Sequence, residues 1–466
     1  MDTESFRRHG HEIIDWLADY YRDIESRRVV PDMHPGDLRR ALPAAAPETG
    51  ESFDVILRDF RDQVVPGMAH WGHPGWFAYF PVNSSPPSVL GELLSAGLGA
   101  QCMNWATSPA ATELEQVVMS WYRQLLALPD QFTGVIQDTA SSATLVAFLT
   151  ARERAGADPA RLVGYWSSEA NSSVSKAARL AGLPLERRRI VPVDGNFAMQ
   201  PAVLAQMMTD DTRQGLVPGI VVATMGTTSS TACDPLRALG DIARDHRAWF
   251  HVDAAFGGSA AIVPEFRPLL YGVELADSMV TNPHKWLLTN FDCSAYFVRD
   301  VDALLRTFSS APEYLRTRFD RDRDAVNFRD WGIPLGRRFR ALKLWFVLRS
   351  YGAEAIRAMI RAHVALGHEL AAWVDADPEF ERLAPAPLAL VCLRHVPPAL
   401  QGDEPALTRH NAALLARVNA TGKVHLTHTT LAGKFVIRVA IGSFRTERRH
   451  VEGVWRILKE EATSKK

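Results

Sequence analysis

From about residue 132 the chain alternates short apolar segments with helical patterns, and this alternation constrains the fold more than any other feature. Strand-like runs such as GVIQ (134–137), GIVVAT (219–224) and WFHVDAAF (249–256) are each followed by polar turns or helical stretches. Such alternation predicts a mostly parallel sheet flanked by helices on both faces. Because ligands bind at the carboxyl ends of the strands in such sheets, the polar residues after each strand are the candidates for function.

Patterns outside this region indicate two further parts. An amphipathic helix is predicted over 4–24, followed by connectors rich in Pro and Gly, and this helix needs another surface to cover its apolar stripe. A helix around 338–372 precedes mixed strand and turn signals. We therefore predict an N-terminal helical segment (1–85) that packs on a partner subunit, a large α/β domain (86–342) and a small C-terminal α+β domain (343–466).

Composition excludes several classes of partner. The 466 residues carry a formal net charge of −1, which gives no electrostatic footprint for nucleic acid or an anionic membrane, so a small-molecule substrate is expected. The 4 cysteines are far apart and form no CxxC or short Cys/His set, which predicts no metal site and a reducing compartment. With no targeting signal and no apolar run near the ~18 residues of a membrane span, a cytoplasmic location is expected.

The strongest local motif is Asn282-Pro283-His284-Lys285-Trp286, directly after the strand-like SMVT. A lysine at a strand end can form a Schiff base with an aldehyde cofactor, and burial among apolar groups would lower the pKa of its amine. A lone lysine is more commonly a surface residue, so this motif needs support from others.

A second motif places an acid directly after a strand. Asp253 follows His251-Val252 and is followed by Ala254 and Ala255. A pyridinium cofactor needs a carboxylate at its ring nitrogen, and small neighbours let a flat ring approach the backbone. The alternative is that Asp253 only caps a helix.

Two Ser/Thr-rich turns are candidate phosphate sites. Residues 138–142 (DTASS) precede a long helix, and residues 226–230 (GTTSS) follow a strand, so both offer backbone N–H groups and hydroxyls to an anion. Each turn is a weak signal alone. Their order along the chain, with the strand-end acid and the strand-end lysine, matches what a phosphorylated pyridine aldehyde requires, so the predicted cofactor is pyridoxal 5′-phosphate.

Several longer segments make a family resemblance plain. They are HWGHPGWFAYFP (70–81), WATSPAATELE (105–115), GVIQDTAS (134–141), DGNFAM (194–199), NPHKWLL (282–288), FDCSA (291–295) and IPLGRRFRALKLWF (333–346). The chain resembles the group II pyridoxal-phosphate decarboxylases of the aromatic-L-amino-acid decarboxylase type over about residues 4–455. The resemblance implies a fold-type I α/β homodimer that converts an aromatic L-amino acid into an amine and carbon dioxide.

The resemblance also implies residue roles. The implied cofactor-binding residues are Ala140, Ser141, Thr228, Asp253, Ala255, Asn282, His284 and Lys285. The implied substrate-binding residues are Tyr79, Phe80, Pro81, Val82, Met103, Asn171 and Gly336. The implied catalytic residues are Lys285, Tyr314, Asn171 and His284, with Tyr314 returning a proton to the substrate from a mobile loop and the charged run 316–329 forming its lid.

One position departs from the family pattern. Asn171 stands where the family has a histidine that stacks on the cofactor ring. In some insect relatives an asparagine there accompanies an oxygen-dependent reaction that releases an aromatic acetaldehyde, ammonia and peroxide. Plant relatives that form aldehydes carry Phe at the loop position where this chain has Tyr314. Decarboxylase and aldehyde synthase therefore both stand, with the decarboxylase favoured.

Two further questions stay open at this point. A non-catalytic homologue is disfavoured, since Lys285, Asp253, His284 and Tyr314 are intact. The ring that is preferred (dopa, tyrosine, phenylalanine or tryptophan) is not determined by the sequence.

Overall fold

A seven-stranded sheet lies at the centre of the structure, a computed structural model that describes residues 1–310, 312–315, 317–319 and 324–464. Its strands are β1 Thr133–Gln137, β2 Leu162–Ser167, β3 Arg188–Val191, β4 Val217–Thr224, β5 Trp249–Asp253, β6 Ser278–Thr281 and β7 Ser294–Val298. Strands β2, β5, β6 and β7 are buried along their whole length. Continuous apolar runs of this kind are typical of strands covered on both faces.

The strand order is β1-β7-β6-β5-β4-β2-β3. Strands β6, β5, β4, β2 and β3 pair in parallel, whereas β7 is antiparallel to both β6 and β1. The prediction of a mostly parallel sheet is confirmed, with β7 as the exception. Residues 282–293 connect β6 to β7 and contain only the four-residue helix α10, so no long crossover helix lies between these strands and the chain turns back beside β6.

Helices cover the sheet and precede it. The N-terminal helices are α1 Thr3–Arg22, α2 Asp37–Ala41 and α3 Phe53–Asp59. The helices of the sheet region are α4 Pro86–Leu98, α5 Pro109–Leu125, α6 Ala140–Ala155, α7 Ser172–Leu180, α8 Pro201–Arg213, α9 Leu236–Asp245, α10 Pro283–Trp286 and α11 Val301–Phe308. Helix α1 confirms the helix predicted over 4–24, and Asp2 caps it by accepting a 2.7 Å hydrogen bond from the Ser5 N–H. Among the described residues, no helix combines the length and apolarity that crossing a membrane requires.

The C-terminal part is an antiparallel sheet with helices, as the α+β prediction expected. Its elements are α12 Arg340–Asp375, β8 Phe380–Arg382, β9 Leu390–His395, α13 Glu404–Ala420, β10 Thr427–Leu431, β11 Lys434–Ala440 and α14 Arg448–Thr463. The strand order is β10-β11-β9-β8. Helix α12 contains a break at Gly352 (φ 68°, ψ 165°), and the predicted boundary between residues 342 and 343 lies inside this helix rather than at the break. The division into three parts therefore stays a prediction.

Candidate active site

Lys285 lies just beyond the carboxyl end of β6, in the short helix α10. The Asn282 N–H donates to the Ala255 carbonyl at 2.9 Å, which joins the end of β6 to the loop after β5. Burial lowers the pKa of Lys285, and the charge of Asp253 opposes that shift. The lowered pKa favours the neutral amine, which is the nucleophilic form.

Asp253 is the last residue of β5 and is buried next to this lysine. Its Oδ1 accepts a hydrogen bond from the Ala255 N–H at 3.1 Å. Burial raises the pKa of Asp253, while Lys285 and the Ala255 N–H hold it down. A buried carboxylate whose main compensation is one lysine and one backbone donor is chemically suited to accept a protonated ring nitrogen.

The first predicted phosphate turn forms the N-terminus of α6. Thr139 and Ser142 make a capping box there, so each side chain accepts from the other residue's backbone N–H. No hydrogen bond to the N–H groups of Ala140 or Ser141 is found among the described residues. These two donors at the positive end of a 16-residue helix can bind an anion.

A polar chain connects this turn to the lysine segment. The Ser294 hydroxyl can donate to the Asn282 Oδ1 at 2.7 Å or to the Asp138 carbonyl at 3.4 Å. The structure thus brings the phosphate turn, Asn282, Lys285 and Asp253 together along one edge of the sheet.

His284 is buried beside them. Its Nδ1 accepts a hydrogen bond from the Cys293 N–H at 2.9 Å, so in the neutral ring the proton is on Nε2. Burial, followed by the charge of Lys285, lowers the pKa of His284 to about 3. The imidazole is therefore neutral at physiological pH and can donate from Nε2.

Asn171 and Thr228, predicted from separate motifs, are in direct contact. The Asn171 Nδ2 donates to the Thr228 Oγ1 at 2.9 Å, and its Oδ1 accepts from the Ser173 N–H at 2.9 Å, capping α7. Both functional groups of the Asn171 side chain are thus engaged, one of them with the second predicted phosphate turn.

Arg438 on β11 was missed by the sequence analysis. Its buried guanidinium donates to four acceptors: the Ser229 carbonyl at 3.1 Å, the Thr228 carbonyl at 2.6 Å, the Tyr79 carbonyl at 3.3 Å and the Thr427 hydroxyl at 3.0 Å. Burial lowers the pKa of Arg438. One side chain therefore joins the second phosphate turn, the predicted substrate segment and the C-terminal sheet.

Asn83 was also missed. Its Nδ2 donates to the Lys285 carbonyl at 2.7 Å and to the Gly442 carbonyl at 3.0 Å, while its Oδ1 accepts from the Phe444 N–H at 3.0 Å. Because Asn83 directly follows Val82, it positions the backbone of the lysine relative to the predicted substrate segment.

A stack of three aromatic rings lies next to Lys285. Phe80 stacks on Phe256 with ring centroids 3.9 Å apart, and Phe256 stacks on Trp286 at 4.5 Å. The Lys285 Nζ lies 5.4 Å from the Phe80 ring centroid. Tyr79 (φ 53°) exposes half of its surface and stacks on Trp71 at 5.6 Å.

Pro81 and Val82 complete this segment between Phe80 and Asn83. Pro81 is buried and Val82 is partly exposed. Residues 79–82 therefore lead from an exposed aromatic surface to the lysine.

Two predicted residues, Met103 and Gly336, have no contact with Lys285 in the part of the chain that the structure describes. The Met103 carbonyl accepts from the Arg329 N–H at 2.9 Å, and Gly336 lies beside Gln101, whose Oε1 accepts from the Arg337 N–H at 2.7 Å. Residues 101–103 and 329–337 therefore contact one another. The side chain of Tyr314 and part of the predicted lid lie outside the residues that the structure describes, so their roles stay predictions.

The strand-end lysine, the strand-end acid and the anion-binding turns define a fold-type I α/β enzyme with residues suited to pyridoxal 5′-phosphate. Comparison with known proteins agrees. Residues 35–396 match the family model for the pyridoxal-dependent decarboxylase conserved domain.

Relatives match nearly the whole chain. Phenylacetaldehyde synthase of Arabidopsis thaliana is 46% identical (99% of this chain, 97% of the relative), and aromatic-L-amino-acid decarboxylase of Sus scrofa is 44% identical (98% and 96%). The crystal structure of Oryza sativa TDC with PLP and tryptamine superposes with a TM-score of 0.97 at 38% identity, covering 99% of this chain and 98% of that one. The chain belongs to the pyridoxal-dependent decarboxylase family, and its cofactor is pyridoxal 5′-phosphate.

Proposed function

We propose that this enzyme removes the α-carboxyl group of an aromatic L-amino acid and releases the aromatic amine and carbon dioxide. The observation that carries the proposal is the position of Asp253 at the end of β5 and of the partly buried Lys285 just beyond the end of the adjacent parallel strand β6, where each shifts the pKa of the other. Aromatic side chains beside that pair, and relatives that include an aromatic-L-amino-acid decarboxylase, support the substrate class.

The proposed roles follow from the contacts. Lys285, whose pKa is lowered by burial, would hold the cofactor covalently, and Asp253 would hold a proton on the ring nitrogen. The N–H groups of Ala140 and Ser141 would bind the phosphate, and Thr228, Asn282 and His284 would assist them. When bound, pyridoxal 5′-phosphate supplies an electron sink for the bond that breaks as carbon dioxide leaves.

The substrate ring is proposed to lie against residues 79–82. Phe80 is fixed by its stack on Phe256, so it offers a rigid wall, whereas exposed Tyr79 offers a face for a second ring. Tyr314 is proposed to return the proton to the substrate α-carbon. The lid over 316–329 is proposed to exclude water while this occurs.

A second function has its own supporting observation. Asn171 occupies the position of the family's ring-stacking histidine, and an asparagine supplies no ionisable ring. Its side chain is hydrogen-bonded to Thr228 and to the N-terminus of α7. A phenylacetaldehyde synthase is among the relatives at 46% identity. The alternative product set is aldehyde, ammonia, carbon dioxide and peroxide.

A product balance distinguishes the two functions. L-Dopa, L-tyrosine, L-phenylalanine and L-tryptophan are each supplied in air and under argon, and carbon dioxide, amine, aldehyde, ammonia and peroxide are quantified. Amine equal to carbon dioxide in both atmospheres is the expected result. Aldehyde, ammonia and peroxide that form only in air would replace the decarboxylase proposal by the second one.

We also propose that the enzyme is a homodimer. Four leucines of α4 are 44–69% exposed and give this helix an uncovered apolar face: Leu90, Leu93, Leu94 and Leu98. A contiguous face of this kind marks an interaction surface, and a second copy is the occupant most common for enzymes. In the dimer, Met103 and Gly336 are proposed to face the substrate site of the partner, which would account for the lack of a described contact between them and Lys285.

Sedimentation tests the dimer proposal. Leu94→Glu is expected to shift the enzyme to a monomer and to reduce its activity, whereas Leu185→Glu, at an exposed leucine on a different element, leaves the dimer intact. A wild-type monomer with full activity would contradict the proposal.

A cytoplasmic location is proposed on chemical grounds. All four cysteines are free thiols, and three of them are buried. Unpaired cysteines throughout a chain of this length are typical of a reducing compartment.

A further inference from the structure

We propose that His9, Glu12 and Asp54 form a binding site for a divalent cation of the zinc type. The three residues lie in the N-terminal part of the chain, on helices α1 and α3, and have no part in the proposed catalytic site. The site is independent of the proposed function, since its ligands and its test concern only these two helices.

The imidazole of His9 is the central observation. His9 is 5% exposed, and no hydrogen-bond partner for its Nδ1 exists among the described residues. The Nδ1 points at two carboxylates, with the Glu12 Oε2 at 3.5 Å and the Asp54 Oδ1 at 3.7 Å. All three ligand atoms lie within 4.8 Å of one another.

These distances suit a shared cation better than direct hydrogen bonds. A hydrogen bond from a ring nitrogen to an oxygen is typically about 2.7–3.2 Å long. A tetrahedral zinc ion bound at about 2.0–2.1 Å from each ligand sets neighbouring ligand atoms roughly 3.4 Å apart. A nitrogen with two carboxylate oxygens leaves a fourth position for water.

The local sequence explains why the three groups converge. Glu12 follows His9 by three residues, so both project from one face of α1. Asp54 is in the first turn of α3, which is capped by Ser52. The neighbouring Phe53 ring packs on His9 with centroids 4.5 Å apart, which restricts rotation of the imidazole.

Two arginines determine which ligand atoms are available. Arg61 donates to the Glu12 Oε1 at 3.1 Å and leaves the Oε2 for the cation. Arg8 lies 3.1 Å from the His9 Nε2. Metal at Nδ1 requires the proton on Nε2, so the exposed Arg8 side chain moves away when the cation binds.

The prediction of no metal site rested on the lack of closely spaced Cys and His residues. Here the third ligand comes from another helix, far along the chain, and a carboxylate replaces the usual second histidine. Binding would connect α1 to α3 and stabilise the N-terminal segment against unfolding.

The experiment uses the full-length holoenzyme after removal of metals with a chelator. Zn²⁺ is titrated by equilibrium dialysis with metal analysis, and Co²⁺ serves as a probe whose visible spectrum reports tetrahedral coordination. Wild type and the control His11→Gln, an exposed histidine on the same helix, are expected to bind one ion that His9→Gln does not bind.

Asp54→Asn provides a second variant. The Asp54 side chain is 73% exposed, so this substitution is expected to leave the protein folded. It is expected to weaken Zn²⁺ binding by about tenfold or more. Saturable binding that is unchanged in both variants, or no saturable binding to wild type, would overturn the proposal.

Discussion

The Nδ2 of Asn171 donates a hydrogen bond to the Oγ1 of Thr228 at 2.9 Å. This contact joins the start of α7 to the turn after β4, two segments that are distant in the chain. It makes the residue that departs from the family pattern a neighbour of the proposed phosphate site. Changes at position 171 should therefore affect cofactor binding as well as the reaction outcome.

Two variants of Asn171 should separate its effects. Asn171→Asp can still accept from the Ser173 N–H and keeps the helix cap, but its charge would repel a phosphate bound near Thr228. We expect unchanged stability of the cofactor-free protein and cofactor affinity lower by about tenfold, which is roughly 1.4 kcal/mol. Asn171→Ala should lower the free energy of unfolding by about 1 kcal/mol and weaken cofactor binding less. Denaturant titration and cofactor titration measure the two effects, and equal cofactor affinities for the two variants would argue against a nearby phosphate.

Lys285→Ala should abolish covalent attachment of the cofactor and lower activity by at least about a thousandfold. Lys343 provides a matched control, because it is a fully buried lysine whose Nζ pairs with the Glu92 Oε2 at 2.8 Å. Lys343→Met is expected to lower the free energy of unfolding by about 2 kcal/mol while covalent attachment persists. Absorbance before and after borohydride reduction follows attachment, and a Lys285→Ala protein that still attaches the cofactor covalently would remove the assignment.

Asp253→Asn should stabilise the cofactor-free protein at neutral pH. Burial raises the pKa of Asp253 in the folded state. At pH values above that raised pKa the wild type must bury a charged carboxylate, which lowers its free energy of unfolding. The advantage of the variant should shrink as the pH falls from the raised pKa towards the pKa of an unfolded aspartate, about 3.9, below which the folded and unfolded states of the wild type are both protonated. Thermal unfolding of the variant and the wild type across this pH range measures the sign of the stability difference. With cofactor bound the order should reverse, because the carboxylate then pairs with the protonated ring nitrogen.

Arg438→Lys should lower both stability and cofactor affinity. A lysine cannot reach the spread of acceptors that the guanidinium serves, so carbonyls of the second phosphate turn lose their donors, and the free energy of unfolding should fall by about 2–3 kcal/mol. Arg394→Lys is the control, since Arg394 is buried in the same sheet but pairs with Glu381 and Glu404. It should lower stability without changing cofactor affinity. If both variants weaken cofactor binding equally, the effect arises from general destabilisation of the sheet.

Much of the fold could be predicted because strand and helix periodicities are local. The positions of Lys285 and Asp253 were predicted from the rule that parallel strands end at one edge of the sheet. The structure has Asp253 at the end of β5 and Lys285 just beyond the end of the adjacent strand β6. The reversed direction of β7 was not predicted, because an apolar run does not indicate strand direction. The short connection after β6 was the signal that could have revealed it.

The contacts of Asn83 and Arg438 were beyond sequence reasoning for a different reason. Asn83 reaches Lys285 across 202 positions, and Arg438 reaches Thr228 across 210. Neither residue belongs to a motif with local spacing, and a buried arginine bound to carbonyl groups has no carboxylate partner that a charge pattern would reveal. Only the folded chain shows which distant segments they join.

The position of Arg438 on β11, which follows β5 and β6 in chain order, has a consequence for biosynthesis. The second phosphate turn obtains its donors from β11, which leaves the ribosome long after the lysine and the acid of the site. A nascent chain that already contains Lys285 would still lack the group that holds Thr228 and Ser229 in place. We therefore expect tight binding of the cofactor only after β11 has been synthesised and Arg438 has reached the carbonyls of Thr228 and Ser229.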